Sequence, residues 1–302
     1  MRQKDLAEKI LEDYNDVFAD IVNGFLFKGK QVILPNDLRN SSVHSQYKAD
    51  ERKLHEQERD VLKTWTSGKV DIAICGIENQ TKPDNYMPMR ILGYDGASYR
   101  SQLLKKNPNP VPVVTLVLYF GTEKRWSANT ELKELFDIPE EMDKYVNNYK
   151  INVFEVAWLT DEELDRFKSD FKIVANFLIN KRKDKNYIPN DTTEIQHFDE
   201  VLKLLSVMTD DKSYEEILKI PQEQRKDVNT MCSVAQNLLS IGKAEGIAEG
   251  KAAGIAEGKA ESLYSLVSDK IITPSVAAER LEISVRKLKA NMLKAGYTYP
   301  TE

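Results

Sequence analysis

A chain of 302 residues with 41% apolar and 30% charged side chains has material for one large or two small cores and the polarity of a soluble protein. No apolar run approaches the ~20 residues that a bilayer-spanning helix needs, so no membrane partner is expected, and the acidic, amphipathic N-terminus is no signal peptide. Two cysteines and three histidines (Cys75, Cys232, His44, His55, His197) give neither a disulfide framework nor a zinc spacing. They fit a reducing cytoplasm and surface histidines, while a net charge of -5 confines any nucleic-acid affinity to local patches.

Residues 5 to 27 place Leu6, Ile10, Leu11, Tyr14, Phe18, Ile21, Val22 and Phe25 on one helical face. "KQVIL" is short and extended, ended by Pro35. The charged stretch 36 to 58 reads as a long loop with at most one helical turn. "DVLKTWT" and "VDIAICGIENQ" flank Ser67, Gly68 and Lys69 and predict a hairpin. "YMPMRILGYDGASYRSQLLKK" has helical spacing. "VPVVTLVLYFG" is β-branched and apolar throughout, as an inner strand buried on both faces requires. "YKINVFEVAWL" predicts a further strand and "DEELDRFKSDFKIVANFLINKR" one helix. The order is that of a mixed α/β domain ending near residue 185, with residues 186 to 241 a helical extension packed on it.

Residues 242 to 261 form a repeat with glycine at every fourth position, Gly242 to Gly258. Alanine, glutamate and lysine favour helix, while each interior glycine costs ~1 kcal/mol relative to alanine. A semi-rigid helical linker is one reading. A helix pair that joins two copies of the chain is the other. Residues 262 to 302 predict three short helices, with N-caps at Thr273 (before Pro274) and Ser284. The last helix carries Arg286, Lys287, Lys289 and Lys294, with no acid until Glu302. That suits a helix-turn-helix with a basic recognition helix, or equally a small helical cap or dimer tail with solvated lysines.

Strand alternation puts Ile72, Ile74, Gly76, Glu78 and Gln80 on one face. Asp60 opens the preceding strand. A two-residue turn at Ser67-Gly68 would turn Asp60 away from Glu78, whereas a five-residue loop, 67 to 71, would set the two across from each other. Two adjacent carboxylates repel unless a cation lies between them, and hard oxygen ligands of this kind suit Mg²⁺ or Mn²⁺.

An acid, a hairpin and then Glu-x-Gln resemble the PD-(D/E)XK nuclease pattern. The segments "HEQERDVLK", "CGIENQT", "YMPMRILGYDGASYRSQL" and "VPVVTLVLYFG" resemble, more specifically, the bacterial Rpn family of recombination-promoting nucleases, or putative transposases, over roughly residues 1 to 240. The resemblance implies a restriction-endonuclease-like core in residues 1 to 185. It implies Asp60 and Glu78 as metal ligands, Gln80 in the position usually held by lysine, and Asp16 on the first helix as a further acid able to reach the metal. Glutamine can orient water but brings no charge, so Lys82 or Lys105 is a candidate substitute. Tyr94, Asp95 and Tyr99 are candidates for the cleft wall. The implied function is metal-dependent DNA endonuclease, connected with recombination or a mobile element. Two other readings stand beside it: a nuclease fold that binds DNA without cutting, and an assembly protein that dimerises through its C-terminal repeat and tail.

Overall fold

The computed structural model describes residues 11–41, 44–48, 54–58 and 60–300, apart from 107, 210, 222, 224 and 226; for 44–48 and 54–58 the backbone alone is described. In chain order the elements are α1 (Asn15–Leu26), β1 (Leu38–Asn40), β2 (His44–Lys48), β3 (Leu54–Glu58), β4 (Val61–Ser67), β5 (Val70–Gln80), α2 (Met87–Leu103), β6 (Val113–Tyr119), α3 (Glu140–Asp143), β7 (Asn152–Glu155), α4 (Asp161–Leu164), α5 (Asp170–Lys183), α6 (Phe198–Thr209), α7 (Ser213–Lys219), α8 (Met231–Ser268), α9 (Pro274–Arg280) and α10 (Val285–Lys294). Five strands form one sheet in the order β1-β4-β5-β6-β7, antiparallel up to β5 and parallel from β5 to β7; β2 and β3 form a separate hairpin. A parallel β5–β6 pair needs a crossover, and α2 supplies it.

The alternation of β5 and β6 divides the core. On one face Val117 packs with Met87, Ile91 and Tyr94 of α2 and with Ile151. Beside it Leu62, Ile74 and Val113 make a smaller cluster. On the other face lie α1 and α5, joined through Phe25, whose ring stacks on Phe154 at 4.4 Å and meets Phe167 and Phe171 edge-on. Inner strand β6 is buried on both faces except at Val114, as its unbroken apolar sequence requires.

Polar interactions decide where the elements break. Of the helix expected over 5 to 27, residues 5 to 10 lie outside the described residues, and the described part is interrupted at Asp13 and Tyr14. There the fully buried ammonium of Lys63 on β4 takes the Asp13 carbonyl (2.7 Å), Asp13 Oδ1 (3.0 Å) and Asn40 Oδ1 (2.6 Å). Three acceptors match the three donors of a lysine, so the charge is accommodated inside the protein. The single helix expected over 161 to 182 is instead α4 and α5. At the join, Asp20 of α1 accepts hydrogen bonds from Lys168 N, Ser169 N and Ser169 Oγ at 2.7–2.8 Å, and Ser169 caps α5.

Two further expectations change. The described residues of the stretch 36 to 58 are largely not loop: a 3₁₀ turn, Pro35–Asp37, leads into β1, which pairs with β4, and β2 pairs with β3. The stretch lacks the apolar alternation that marks a half-buried strand, because its partners supply the pairing. The span 186 to 241 is not helical throughout; residues 184–197 and the described residues of 220–230 are largely irregular around α6 and α7. His197 is only partly exposed. Its ring stacks on Tyr14 with centroids 3.9 Å apart. The side chains of His44 and His55 lie outside the described residues.

The chain divides into compact units 1–236 and 237–302. In the second, the end of α8, α9 and α10 enclose Leu263, Tyr264, Val267, Ala277, Ala278, Leu288 and Met292. The glycine repeat is continuous helix within α8, and residues 242–259 are exposed along its length.

Gly24 of α1 lies so close to the buried ring of Phe167 that an added Cβ would overlap it. We expect Gly24→Ala to destabilise the first unit by about 1–3 kcal/mol through overpacking, more than the ~1 kcal/mol that alanine returns in helix propensity. Thermal unfolding followed by near-UV circular dichroism measures it.

Candidate active site

β5 makes a two-residue turn with β4: Ser67 pairs with Val70, leaving Gly68 (φ 60°) and Lys69 at the tip. That turn alone would put Asp60 opposite Ile77. The register shifts once, between Trp65–Ala73 and Thr66–Asp71, so that Ile72 is the extra residue of a β-bulge. Beyond it the ladder reads Val61 opposite Ile77, and one further step sets Asp60 opposite Glu78. The parity expected from a five-residue loop is thus reached by a tight turn plus one bulged residue.

Glu78 is 2% exposed at the end of the apolar row. Its Oε1 accepts a hydrogen bond from Arg90 Nη2 of α2 and lies 3.5 Å from Gln80 Nε2. Arg90 also donates from Nη1 to Asp84 Oδ2 at 3.1 Å and lies 3.5 Å from the Tyr94 hydroxyl, one helical turn along. Burial opposes the guanidinium charge, but the Glu78 carboxylate, with Tyr94 and Asp84, outweighs it and raises the Arg90 pKa above its ordinary value. Tyr94 is pushed up as well, first by burial, then by the charge of Glu78, with a smaller contribution from Asp60 and an opposing one from Arg90. Tyr94 therefore senses both carboxylates from the α2 side. Asp60 Oδ2 accepts from the Asn79 backbone N–H at 2.7 Å, which ties the two strand ends together.

Of the other residues singled out in the sequence, Asp16 is not brought to this pair. Its carboxylate meets His197 Nε2 at 2.9 Å. Glu12, one turn earlier and buried, reaches the strand end instead and accepts from Asn79 Nδ2 at 2.6 Å on the opposite face of β5. Asp95 is buried between Thr115 Oγ1 (2.6 Å) and Tyr149 Oη, so it ties α2 to the sheet and does not line a cleft. The Tyr99 hydroxyl accepts from Val113 N. Lys105 lies by Asp71. Lys82 borders a cleft of about 1000 Å³ beyond the carboxyl ends of β5 and β6, together with Asp84, Tyr86, Tyr119 and Lys124. Arg90, which grips both Glu78 and the cleft-wall Asp84, escaped the sequence reading. Its signal was the four-residue spacing to Tyr94 on a helix facing Glu78.

Among the described residues no group of three or more His, Cys, Asp or Glu side chains could hold a metal ion. The carboxylates of Asp60 and Glu78 are hard oxygen donors, however, and Mg²⁺ is commonly held by one or two carboxylates with water and substrate phosphate filling the other positions. Their chemistry fits such an ion, with Arg90 the present counter-charge on one Glu78 oxygen.

A mixed α/β domain, with a five-stranded sheet flanked by helices and an antiparallel hairpin that carries Asp60 and Glu78 at neighbouring strand ends, defines the class. The chain belongs to the family described as "Putative transposase, YhgA-like", whose model, Transposase_31, matches residues 43–214; this is the Rpn family. The match takes in Asp60, Glu78, Gln80 and Arg90 and leaves residues 237–302 outside. No curated protein and no solved structure matches the chain.

Cys75, three residues before Glu78 on the opposite face of β5, has its thiol pushed up to about 12 by burial. Iodoacetamide at pH 8 should label Cys232, which is partly exposed, and leave Cys75 unmodified until the protein is unfolded; peptide mass spectrometry reads the difference.

Proposed function

We propose that this protein is a metal-dependent DNA endonuclease of the PD-(D/E)XK type. The observation that supports the reading is the bulge-set register, which ends with Val61 opposite Ile77 and so carries Asp60 toward Glu78 at the strand end. Membership of a transposase-described family supports DNA as the substrate. Asp60 and Glu78 would hold the ion, which when bound lowers the pKa of a coordinated water and offsets charge on the phosphate. The chain's own groups do the rest. Gln80 presents an amide within reach of Glu78 and orients water. Arg90 brings from α2 the positive charge that Gln80 lacks, next to Glu78, where charge would develop on a phosphate. The cleft, with Lys82 and Lys124 on its wall, has room for the strand that flanks the cut.

A second reading is favoured by one observation: Arg90 already occupies a Glu78 oxygen. If that contact persists with DNA bound, the domain binds without cutting.

Nicking of supercoiled DNA separates the two. With Mg²⁺ or Mn²⁺ the wild type should nick, Asp60→Ala should lose at least 100-fold while keeping its circular dichroism spectrum, and Gln80→Lys should retain or gain activity. A wild type and Gln80→Lys variant that both bind DNA yet never cut it, with either metal, would establish the second reading.

Arg90→Ala is a sharper probe. Removing the guanidinium exposes the Glu78 carboxylate to the ion, so Mn²⁺ binding followed by electron paramagnetic resonance should tighten or hold steady. Nicking should fall by 10-fold or more, with partial recovery in Arg90→Lys. Weaker Mn²⁺ binding in Arg90→Ala would mean that Arg90 builds the metal site and plays no part in charge stabilisation.

A further inference from the structure

The second unit, 237–302, lies outside the family match and has its own core. We infer that it is a helix-turn-helix module that binds double-stranded DNA through α10. This stands independently of whether the first unit cuts.

The turn is the first support. α9 ends at Arg280 and α10 starts at Val285, with Thr273 and Ser284 capping the two helices through bonds to Val276 N (3.4 Å) and Lys287 N (3.2 Å). Between them the chain makes a Schellman motif: Ile283 N donates to Ala278 O at 3.0 Å and Glu282 N to Glu279 O at 3.0 Å. This requires the left-handed conformation at Glu282, where φ is 54°. A side chain there costs roughly 1–2 kcal/mol, and the pair of helices keeps this sharp junction all the same. Ala277 and Ala278 of α9 are fully buried against Leu288 and Met292 of α10, so small residues let the two helices approach closely. A short first helix, a four-residue turn and a second helix held across it make the frame that presents one helix to the major groove.

What α10 presents is the second support. At 100° per residue, Leu288 and Met292 mark the inward side. Arg286, Ala290 and Leu293 lie opposite, Lys287 and Lys294 on one flank and Lys289 on the other. All seven positions from Val285 to Lys294 other than Leu288, Asn291 and Met292 are exposed. α10 has no acid, and among the described residues no carboxylate pairs with its four cations. Lys289 lies over the Tyr299 ring at 5.1 Å, which holds it on its flank.

This layout divides the work as duplex recognition does. Small Ala290 at the centre lets the backbone approach the groove floor. Arg286 has the reach and the forked donors to contact a guanine edge. Exposed Leu293 offers an apolar contact of the kind a thymine methyl takes. The flanking lysines suit the phosphates on either side. The outward face has no aromatic platform for single-stranded bases, and the deep, narrow major groove of A-form RNA does not admit a helix. B-form DNA is the ligand that fits.

The test uses the full chain in EDTA, so that nothing is cut, and a fluorescein-labelled random-sequence duplex about three helical turns long. Anisotropy should show the triple variant Arg286→Ala/Lys287→Ala/Lys294→Ala binding about tenfold more weakly, with a salt slope lower by about two to three. All three side chains are exposed, so the variant should keep the core and its melting curve. Selection from a random duplex pool should enrich a motif with the wild type. Arg286→Ala should relax preference at one position of it, while Lys294→Ala should weaken all sequences alike. Unchanged affinity and slope in the triple variant would overturn the inference. So would failure to enrich any motif, or equally tight binding to single-stranded DNA or a polyglutamate peptide, which would make α10 a general cationic face.

Discussion

The pairing of β4 with β5 is the constraint on which the first unit depends. β5 contacts β4 on one side and β6 on the other, and its two faces carry the two halves of the core. Strand alternation has a period of two, so the single bulged residue at Ile72 decides for every position beyond it which face it serves. With the bulge, Ile74 and Glu78 share a face with Leu62 and the α2 cluster, and Cys75, Ile77 and Asn79 serve the face toward α1. The local distortion near the hairpin tip therefore governs the chemistry some twenty ångströms along the strand, by the ~3.3 Å rise per residue.

Charge inside this domain is handled by dedicated partners. Lys63 is enclosed by three oxygens, Asp20 caps the start of α5, Asp170 accepts from the backbone of Gln196 and His197, and Asp95 joins α2 to β6 and Tyr149. Each of these carries chain segments distant in sequence to one point. Such contacts cost desolvation and repay it only with good geometry, so they specify one arrangement of helices on the sheet more than they add stability. Glu78 differs from them. Its partner Arg90 comes from a half-exposed flank and is shared with Asp84 on the cleft wall, so this ion pair links a buried carboxylate to the cleft wall.

Much of this was legible in the sequence. The β4–β5 hairpin, α2 and the inner strand β6 followed from alternation and β-branched content, and the N-caps at Thr273 and Ser284 followed from residue type. The facing of Asp60 and Glu78 was legible only as a parity: an odd displacement was needed, and no residue pattern distinguished a longer loop from a bulge at Ile72. Strand β1 was hidden because an edge strand of three residues has too few positions to show a period. The interruptions at Asp13 and between α4 and α5 were hidden for another reason. They are set by Lys63 and Asp20, whose partners lie up to 149 residues away, and local propensity carries no trace of such distant acceptors. Asp16, expected beside the pair, lies against His197, and the buried acid before the interruption, Glu12, serves Asn79 on the other face of β5; neither contact has a local sequence signal.

The exposed repeat in α8 has a corollary for its length. An alanine Cβ placed at any of Gly242, Gly246, Gly250, Gly254 or Gly258 would meet nothing within 4 Å, so these glycines are not kept for close packing within this chain. Nor does the segment contribute a residue to either hydrophobic core. A four-residue unit can be duplicated or lost there without opening a cavity or leaving a polar group stranded. Folding therefore sets no constraint on the length of this helix that packing within the chain would enforce.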